Sequence, residues 1–367
     1  MTTGKWILLV VIFSLVMALT HFGNGNCIRG DPKLDFDSPF YIQLLLWLKG
    51  EYPDLPGQPF RMRVLNPLLA SYLSTIVGVN NAFGILNTFF WILTCLIYFL
   101  ALRNYLKSDT LAGMSCILFS ASVPVLVYGA AISTDMIGWL ALAVATYYVG
   151  RSMSFKNLVL MGICMYILMI GREVSLLALA YIFIYRIVTG ESVLKAVLES
   201  IVLGIFSTLA ILTLYMVIPS PGYTAYFYQS FLEAGKLKKV LGAIRQVAAT
   251  YHIGWIPIVF YCLSAEVRKD PLFMTSIIVG GAFILIDHFI GTISSRFVFL
   301  TYPGLLPAIL VGAEGISRKL ASKGHQKLLY SFVCAYILIG FALTLEDNLA
   351  FPVSSDRAIA KLFPRGR

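Results

Sequence analysis

Charge is what this sequence has least of. Only 13% of its 367 residues are Asp, Glu, Lys or Arg, 59% belong to the apolar set AVILMFWYC, and the mean hydropathy is +0.82. Soluble domains carry about 25% charged residues. A chain this poor in charge could not cover a water-facing surface, so its apolar excess must face lipid. No CxxC pair occurs. Cys95, Cys116, Cys164, Cys262 and Cys334 sit inside apolar runs and Cys27 stands alone in a polar loop, which leaves neither a disulfide framework nor a thiolate metal site. The histidines His21, His252, His288 and His325 are dispersed without metal-ligand spacing, which argues against zinc catalysis. Without a Gly-x4-Gly-Lys-Ser/Thr loop or a dinucleotide fingerprint, ATP-driven and nicotinamide chemistry lack their phosphate cradles. The G-x-S-x-G elbow of a hydrolase is missing too. Internal repeats, low-complexity tracts and a separate soluble domain are likewise absent.

What is present is a series of apolar runs. The fold class they predict is an all-α polytopic membrane protein, one integral membrane domain over 1–367 with about 11 transmembrane helices, within a range of roughly 9 to 12. The first span is 6–22, read as retained because Gly23-Asn24-Gly25-Asn26-Cys27 offers no small-x-small cleavage site. The remaining spans fall within 82–345, near 82–102, 110–132, 136–150, 157–171, 174–188, 201–218, 251–265, 271–290, 297–314 and 328–345.

The net charge of +10 suits short connections between spans and anionic headgroups, so nucleic acid is set aside as a partner and membrane lipids are kept. With the N-terminus inside, the cytoplasmic connections receive Lys5, Arg103, Lys107, Arg151, Lys156, Arg186, Lys195, Arg268, Lys269, Arg318, Lys319, Lys323 and Lys327, while the short outer ones receive only Arg172 and Arg296. This holds if 64–79, with Asn66-Pro67 after Arg61 and Arg63, lies in the outer interface instead of crossing. Residues 39–49, opened by Asp37-Ser38-Pro39 as a capping signal, form a second surface helix. The first outer loop is then 23–81. A second outer segment, 219–250, reads as an interfacial linker or a substrate lid, and the tail 346–367 is external.

In this topology 12 of the 18 acidic residues face outward. Polar groups converge at the outer span ends: Asp135 before one span, Arg172-Glu173 between two, and Asp287-His288 with Arg296 around two more. Each has a bland explanation. Asp135 could cap the following helix through Ser133-Thr134, Arg172-Glu173 could be a snorkelling pair, and Asp287, His288 and Arg296 could be a structural ion cluster. Charges at the edge of hydrocarbon persist when they pair or serve a site, and the clustering on one face favours an extracytoplasmic site.

The first loop then becomes recognisable. Asp35-Phe36-Asp37-Ser38-Pro39-Phe40-Tyr41, followed by Leu48-Lys49-Gly50 and Pro59-Phe60-Arg61-Met62-Arg63-Val64-Leu65-Asn66-Pro67-Leu68-Leu69-Ala70, resembles the opening of the GT-C superfamily of membrane glycosyltransferases. The resemblance implies a transferase that moves a sugar from a polyprenyl-phosphate carrier to an acceptor hydroxyl on a glycan, lipid or protein. It implies Asp37 as the catalytic base, four residues before Tyr41, with Asp35 completing a D-x-D and assisting. Tyr41, Arg61, Arg63, Asp135, Arg172, Glu173, His288 and Arg296 are the expected substrate-binding set. No metal or other cofactor is required by that chemistry; a divalent cation at Asp35 and Asp37 is the alternative. The expected location is a multi-pass position in a prokaryotic plasma membrane or an ER-type membrane. Two other classes compete, a secondary transporter or lipid flippase and a non-catalytic subunit of a membrane complex. Transport predicts ionisable residues near mid-span and paired interrupted helices, whereas Pro124 is the main mid-span break.

Overall fold

The computed structural model describes residues 2–23, 37–151, 154–219, 238–264, 269–290, 294–321 and 323–345. Among them every regular element is helical. Among the described residues five helices are long and apolar enough to cross a membrane, and several of the other predicted spans are shorter apolar helices. The protein is an integral, multi-pass helical membrane protein.

Helix α1 (Thr3–Gly23) packs on α4 (Val79–Leu106) and α5 (Asp109–Ala121). Gly113 makes that approach possible, because a Cβ there would lie 2.2 Å from the Trp6 ring. Two short helices precede α4: α2 (Ser38–Leu48) and α3 (Leu65–Val77). They lie against each other over a small core of Tyr41, Leu45, Ala70, Ala82 and Phe83. On α3, Tyr72 and Ile76 remain 71% and 81% exposed, the apolar edge expected of a helix lying at a membrane surface.

The predicted span 110–132 requires correction. Helix α5 stops at Ala121, Ser122 is extended (φ −71°, ψ 139°), and α6 (Val123–Tyr128) is a separate short helix with Pro124 in its first turn. Proline removes an N–H and clashes with the preceding turn, so a continuously apolar run is not a continuous helix. Beyond α6 the chain leaves helical geometry until α7 (Asp135–Val149). The predicted span 251–265 starts at a bend: α11 (Lys238–Tyr251), in the predicted outer segment 219–250 but for its last residue, ends at a 3-10 turn where His252 takes φ +34°, and α12 (Trp255–Cys262) is the helix of the span.

The rest follows the predicted order: α8 (Phe155–Gly171), α9 (Leu176–Val188), α10 (Val193–Val217), α13 (Pro271–Ile290), the short α14 (Ser295–Val298), α15 (Tyr302–Leu320) and α16 (His325–Leu345). Helices α5, α7, α13 and α15 meet in an aromatic core that includes Phe119, Trp139, Phe299 and Tyr302. Pro307, inside α15, cannot donate to the carbonyl of Pro303. Tyr98 Oη donates to that carbonyl at 3.1 Å instead, which ties α4 to α15. Asp35, Cys27, the D-x-D as a unit, most of the 219–250 segment and the external tail lie outside the described residues.

Candidate active site

The site is built where three breaks in helical structure come together: the start of α2, the irregular stretch before α7, and the turn between α8 and α9. A fourth element, α14, brings in the last side chain.

Asp37 stands just ahead of α2, but its carboxylate makes no capping bond. Its Oδ2 instead accepts from Arg296 Nη1 at 2.8 Å. The same Nη1 lies 3.5 Å from Asp135 Oδ2. Arg296 therefore sits between two carboxylates, with its guanidinium carbon 5.4 Å from the Tyr128 ring centroid and 5.0 Å from that of Phe297. Aromatic faces favour a cation held over them. The position of α14 is fixed in turn by Gln246 on α11, whose Oε1 accepts the Ser295 N–H at 3.1 Å.

Asp135 opens α7, where an acidic group complements the helix dipole. The capping role expected of it is not what its carboxylate does: Oδ1 pairs with Arg172 Nη2 at 2.9 Å, and both side chains are almost wholly enclosed. Arg172 Nη1 donates to Thr134 Oγ1 at 3.0 Å. Thr134 Oγ1 lies 3.0 Å from Tyr41 Oη, which also accepts from Arg63 Nη1 at 2.9 Å. Arg63 completes the chain with a fork onto Glu173, Nε donating to Oε2 at 2.8 Å and Nη2 meeting Oε1. Burial opposes ionisation of Glu173, but the Arg63 guanidinium and its hydrogen bonds outweigh this and hold the carboxyl below its usual range. Burial pushes the Tyr41 hydroxyl up, so it stays neutral and can donate to Thr134.

Arg172 and Glu173 are thus not a pair with each other, the correction to the snorkelling explanation. Arg172 has an extended backbone (φ −165°, ψ 131°), and successive side chains on extended backbone point to opposite sides. The same turn is stitched to the first loop by the Val64 N–H, which donates to Ile170 O at 2.9 Å.

Six of the candidate residues form one connected group, three guanidiniums (Arg63, Arg172, Arg296) with three carboxylates (Asp37, Asp135, Glu173), and Tyr41 bridges them. Arg61 stands apart: its Nε donates to Pro56 O at 3.0 Å and Nη1 to Pro219 O at 3.3 Å, so it joins the first loop to the end of α10. His288 and Asp287 lie in α13, and their side chains, and with them the ion cluster expected with Arg296, lie outside the described residues; Arg296 pairs with Asp37 and Asp135. Among the described residues no group of three His, Cys, Asp or Glu side chains could hold a metal.

Thr134 and the aromatic bed of Arg296 escaped the sequence reading. So did two buried asparagines. Asn66 Nδ2 donates to Asn87 Oδ1 at 2.7 Å and to Ser133 O at 2.9 Å; Asn87 Nδ2 donates to Ser133 O at 3.3 Å and to Ala131 O. A lone amide in the apolar run of α4 was the available signal.

A scan of protein-family models finds no match to the chain, and a sequence search of curated proteins finds none either. Solved structures do match. One is ArnT from Cupriavidus metallidurans bound to undecaprenyl phosphate, 13% identical, with 99% of this chain and 73% of that one covered at a TM-score of 0.62. Another is the Archaeoglobus fulgidus oligosaccharyltransferase tethered to an acceptor peptide containing an NVT sequon, 10% identical, with 96% of this chain and 55% of that one covered at a TM-score of 0.55. The chain thus spans little more than half of the archaeal enzyme. At such identities the likeness is one of fold, and that fold is the one found in GT-C glycosyltransferases.

Proposed function

We propose that the protein is a glycosyltransferase that moves a sugar from a polyprenyl-phosphate carrier to an acceptor hydroxyl, with Asp37 as general base. The observation that carries this reading is the sharing of Arg296 Nη1 between Asp37 and Asp135. It sets a partly exposed cation beside a buried carboxylate within the charge cluster. The fold shared with a transferase bound to undecaprenyl phosphate supports it.

The chemistry balances as follows. The bond from the sugar's anomeric carbon to the carrier phosphate oxygen breaks, and a bond to the acceptor oxygen forms. The acceptor proton passes to Asp37. The donor phosphodiester has one negative charge and the departing phosphate gains a second, so a cation placed at that oxygen is worth most as the bond breaks. Arg296 is assigned that task. Arg63 and Arg172 are taken up by Glu173, Tyr41, Asp135 and Thr134, and serve to position. Arg296 supplies a cation beside Asp37, so the proposed step is written without a metal, and a divalent ion at Asp35 and Asp37 stands as the alternative. The acceptor is a hydroxyl of a glycan, lipid or protein.

The test is binding and turnover in Arg296→Lys. A planar fork can engage two phosphate oxygens where an ammonium is a point charge. Affinity for undecaprenyl phosphate is expected to fall about tenfold, equivalent to about 1.4 kcal/mol. Unchanged affinity and turnover would return Arg296 to a structural role and remove the main support for the reading.

The proposed topology has eleven spans, with α2 and α3 on the outer surface and the charge cluster extracytoplasmic. The asymmetry of Lys and Arg supports it. In a background lacking the six native cysteines, single cysteines at Asn104 and Lys323 are expected to resist an impermeant thiol reagent in intact cells and to react after permeabilisation. Labelling of both from outside would turn the site to the cytoplasmic face.

A further inference from the structure

The stretch between α6 and α7 is the part of the site hardest to explain from its own residues. It leaves helical geometry inside an apolar bundle; Ala131 O accepts the Ser133 N–H at 2.8 Å and Thr134 O accepts the Ile137 N–H at 3.1 Å, while Ser133 O has no backbone donor among the described residues. Unsatisfied carbonyls there would be costly. Two side chains from other helices supply the donors to Ser133 O. Asn66 comes from α3 and Asn87 from α4, and both are 0% exposed.

Their hydrogens can be counted. A side-chain amide has two N–H donors, and a carbonyl oxygen has two lone pairs. Asn66 gives one hydrogen to Asn87 Oδ1 and one to Ser133 O; Asn87 gives one to Ser133 O and one to Ala131 O. All four donors are used, and both lone pairs of Ser133 O are taken. The next residues are Thr134, which accepts from Arg172, and Asp135, which holds Arg172 and stands beside Arg296. The Asn66-Pro67 of the first-loop motif thereby gains a physical purpose.

We infer that Asn66 and Asn87 are positioning residues for the proposed transfer: a paired-amide bracket that fixes the Ser133 carbonyl and so sets Thr134 and Asp135, and through Asp135 the Arg296 guanidinium that meets the carrier phosphate. This rests on the reading of Arg296 given above. Neither asparagine touches substrate. Their effect on phosphate binding passes through Asp135.

A double-mutant cycle on undecaprenyl phosphate affinity tests it, using Asn87→Leu, Arg296→Lys and the pair. Asn87→Leu is expected to weaken binding about tenfold, and the pair to be weaker than Arg296→Lys alone by no more than about threefold, because residues in one network do not act additively. Full additivity, or unchanged affinity in Asn87→Leu, would overturn the inference. Hydrogen exchange gives a readout that needs no ligand: amides of 130–137 should exchange faster in Asn87→Leu while those of α8 and α10 stay as in the wild type. Unchanged exchange at 130–137 would also overturn it. If Asn87→Leu does not fold, Asn66→Ser removes one donor to Ser133 O and is read the same way. Should the wild type itself fail to bind undecaprenyl phosphate, the functional reading falls, and the exchange measurement still decides whether the bracket orders this segment.

Discussion

Asp37→Asn is expected to lower the rate of sugar transfer by about 10²- to 10⁴-fold, the range associated with a general base, without weakening the donor's hold. Asparagine keeps the size of the side chain and can still accept a hydrogen bond from Arg296, but it cannot take the acceptor's proton. Its loss of charge also removes a competitor for Arg296, which pairs with Asp37 at 2.8 Å. Donor affinity should therefore stay level or rise as turnover collapses. That opposite movement separates loss of the base from loss of the fold, which would depress both. Wild-type turnover in Asp37→Asn would remove the assignment, and loss of transfer in Asp35→Asn alone would exchange the two aspartates.

The largest effect on stability is expected at Arg172. It is 1% exposed and reaches Asp135 and Thr134 with its two terminal nitrogens. Arg172→Met leaves Asp135 enclosed with only the more distant Arg296 beside it. Breaking a buried pair by removing one partner costs about 3–5 kcal/mol, whereas replacing both partners is often close to neutral. Arg172→Met should thus lower the melting temperature of the purified protein sharply. The pair Arg172→Met with Asp135→Asn should recover most of it and yet transfer no sugar, because the support for Arg296 and Thr134 is gone. Equal stability of Arg172→Met and wild type would mean that water relieves Asp135.

Much of the architecture was legible because hydropathy and charge act over whole helices. The two short helices expected at 39–49 and 64–79 correspond as helices to α2 and α3, and most boundaries of the expected spans lie within a few residues of observed helix ends. The break at Ser122 was hidden, since every neighbour is apolar and only Pro124 marks it. The candidate residues were legible as a set but not as pairs. Arg172 and Glu173 are neighbours in sequence and turn away from each other, while Asp37 and Arg296 are 259 positions apart and touch. Pairing depends on how helix ends converge, which no local pattern encodes. Asn87 shows the same limit from the other side: its meaning lies in carbonyls freed elsewhere.

The lengths of the helices around the site bear on the lipid as well as on the protein. Helix α8 has 17 residues and α9 has 13, and both present apolar side chains outward, among them Leu160, Ile163, Ile167 and Leu176. At about 1.5 Å per residue α9 is roughly 20 Å long, and with the 3-10 turn Glu173–Ser175 that runs into it the helical stretch is roughly 25 Å, still short of the ~30 Å of a typical hydrocarbon core. Hydrophobic mismatch of this sign is relieved when the bilayer thins around the short helices. The turn that carries Arg172 and Glu173 joins those two helices, so in the proposed topology such thinning would fall beside the charge cluster and bring the plane of lipid phosphates toward it. If Arg296 meets the carrier phosphate as proposed, acyl-chain length in the surrounding membrane is expected to tune how readily that headgroup reaches it.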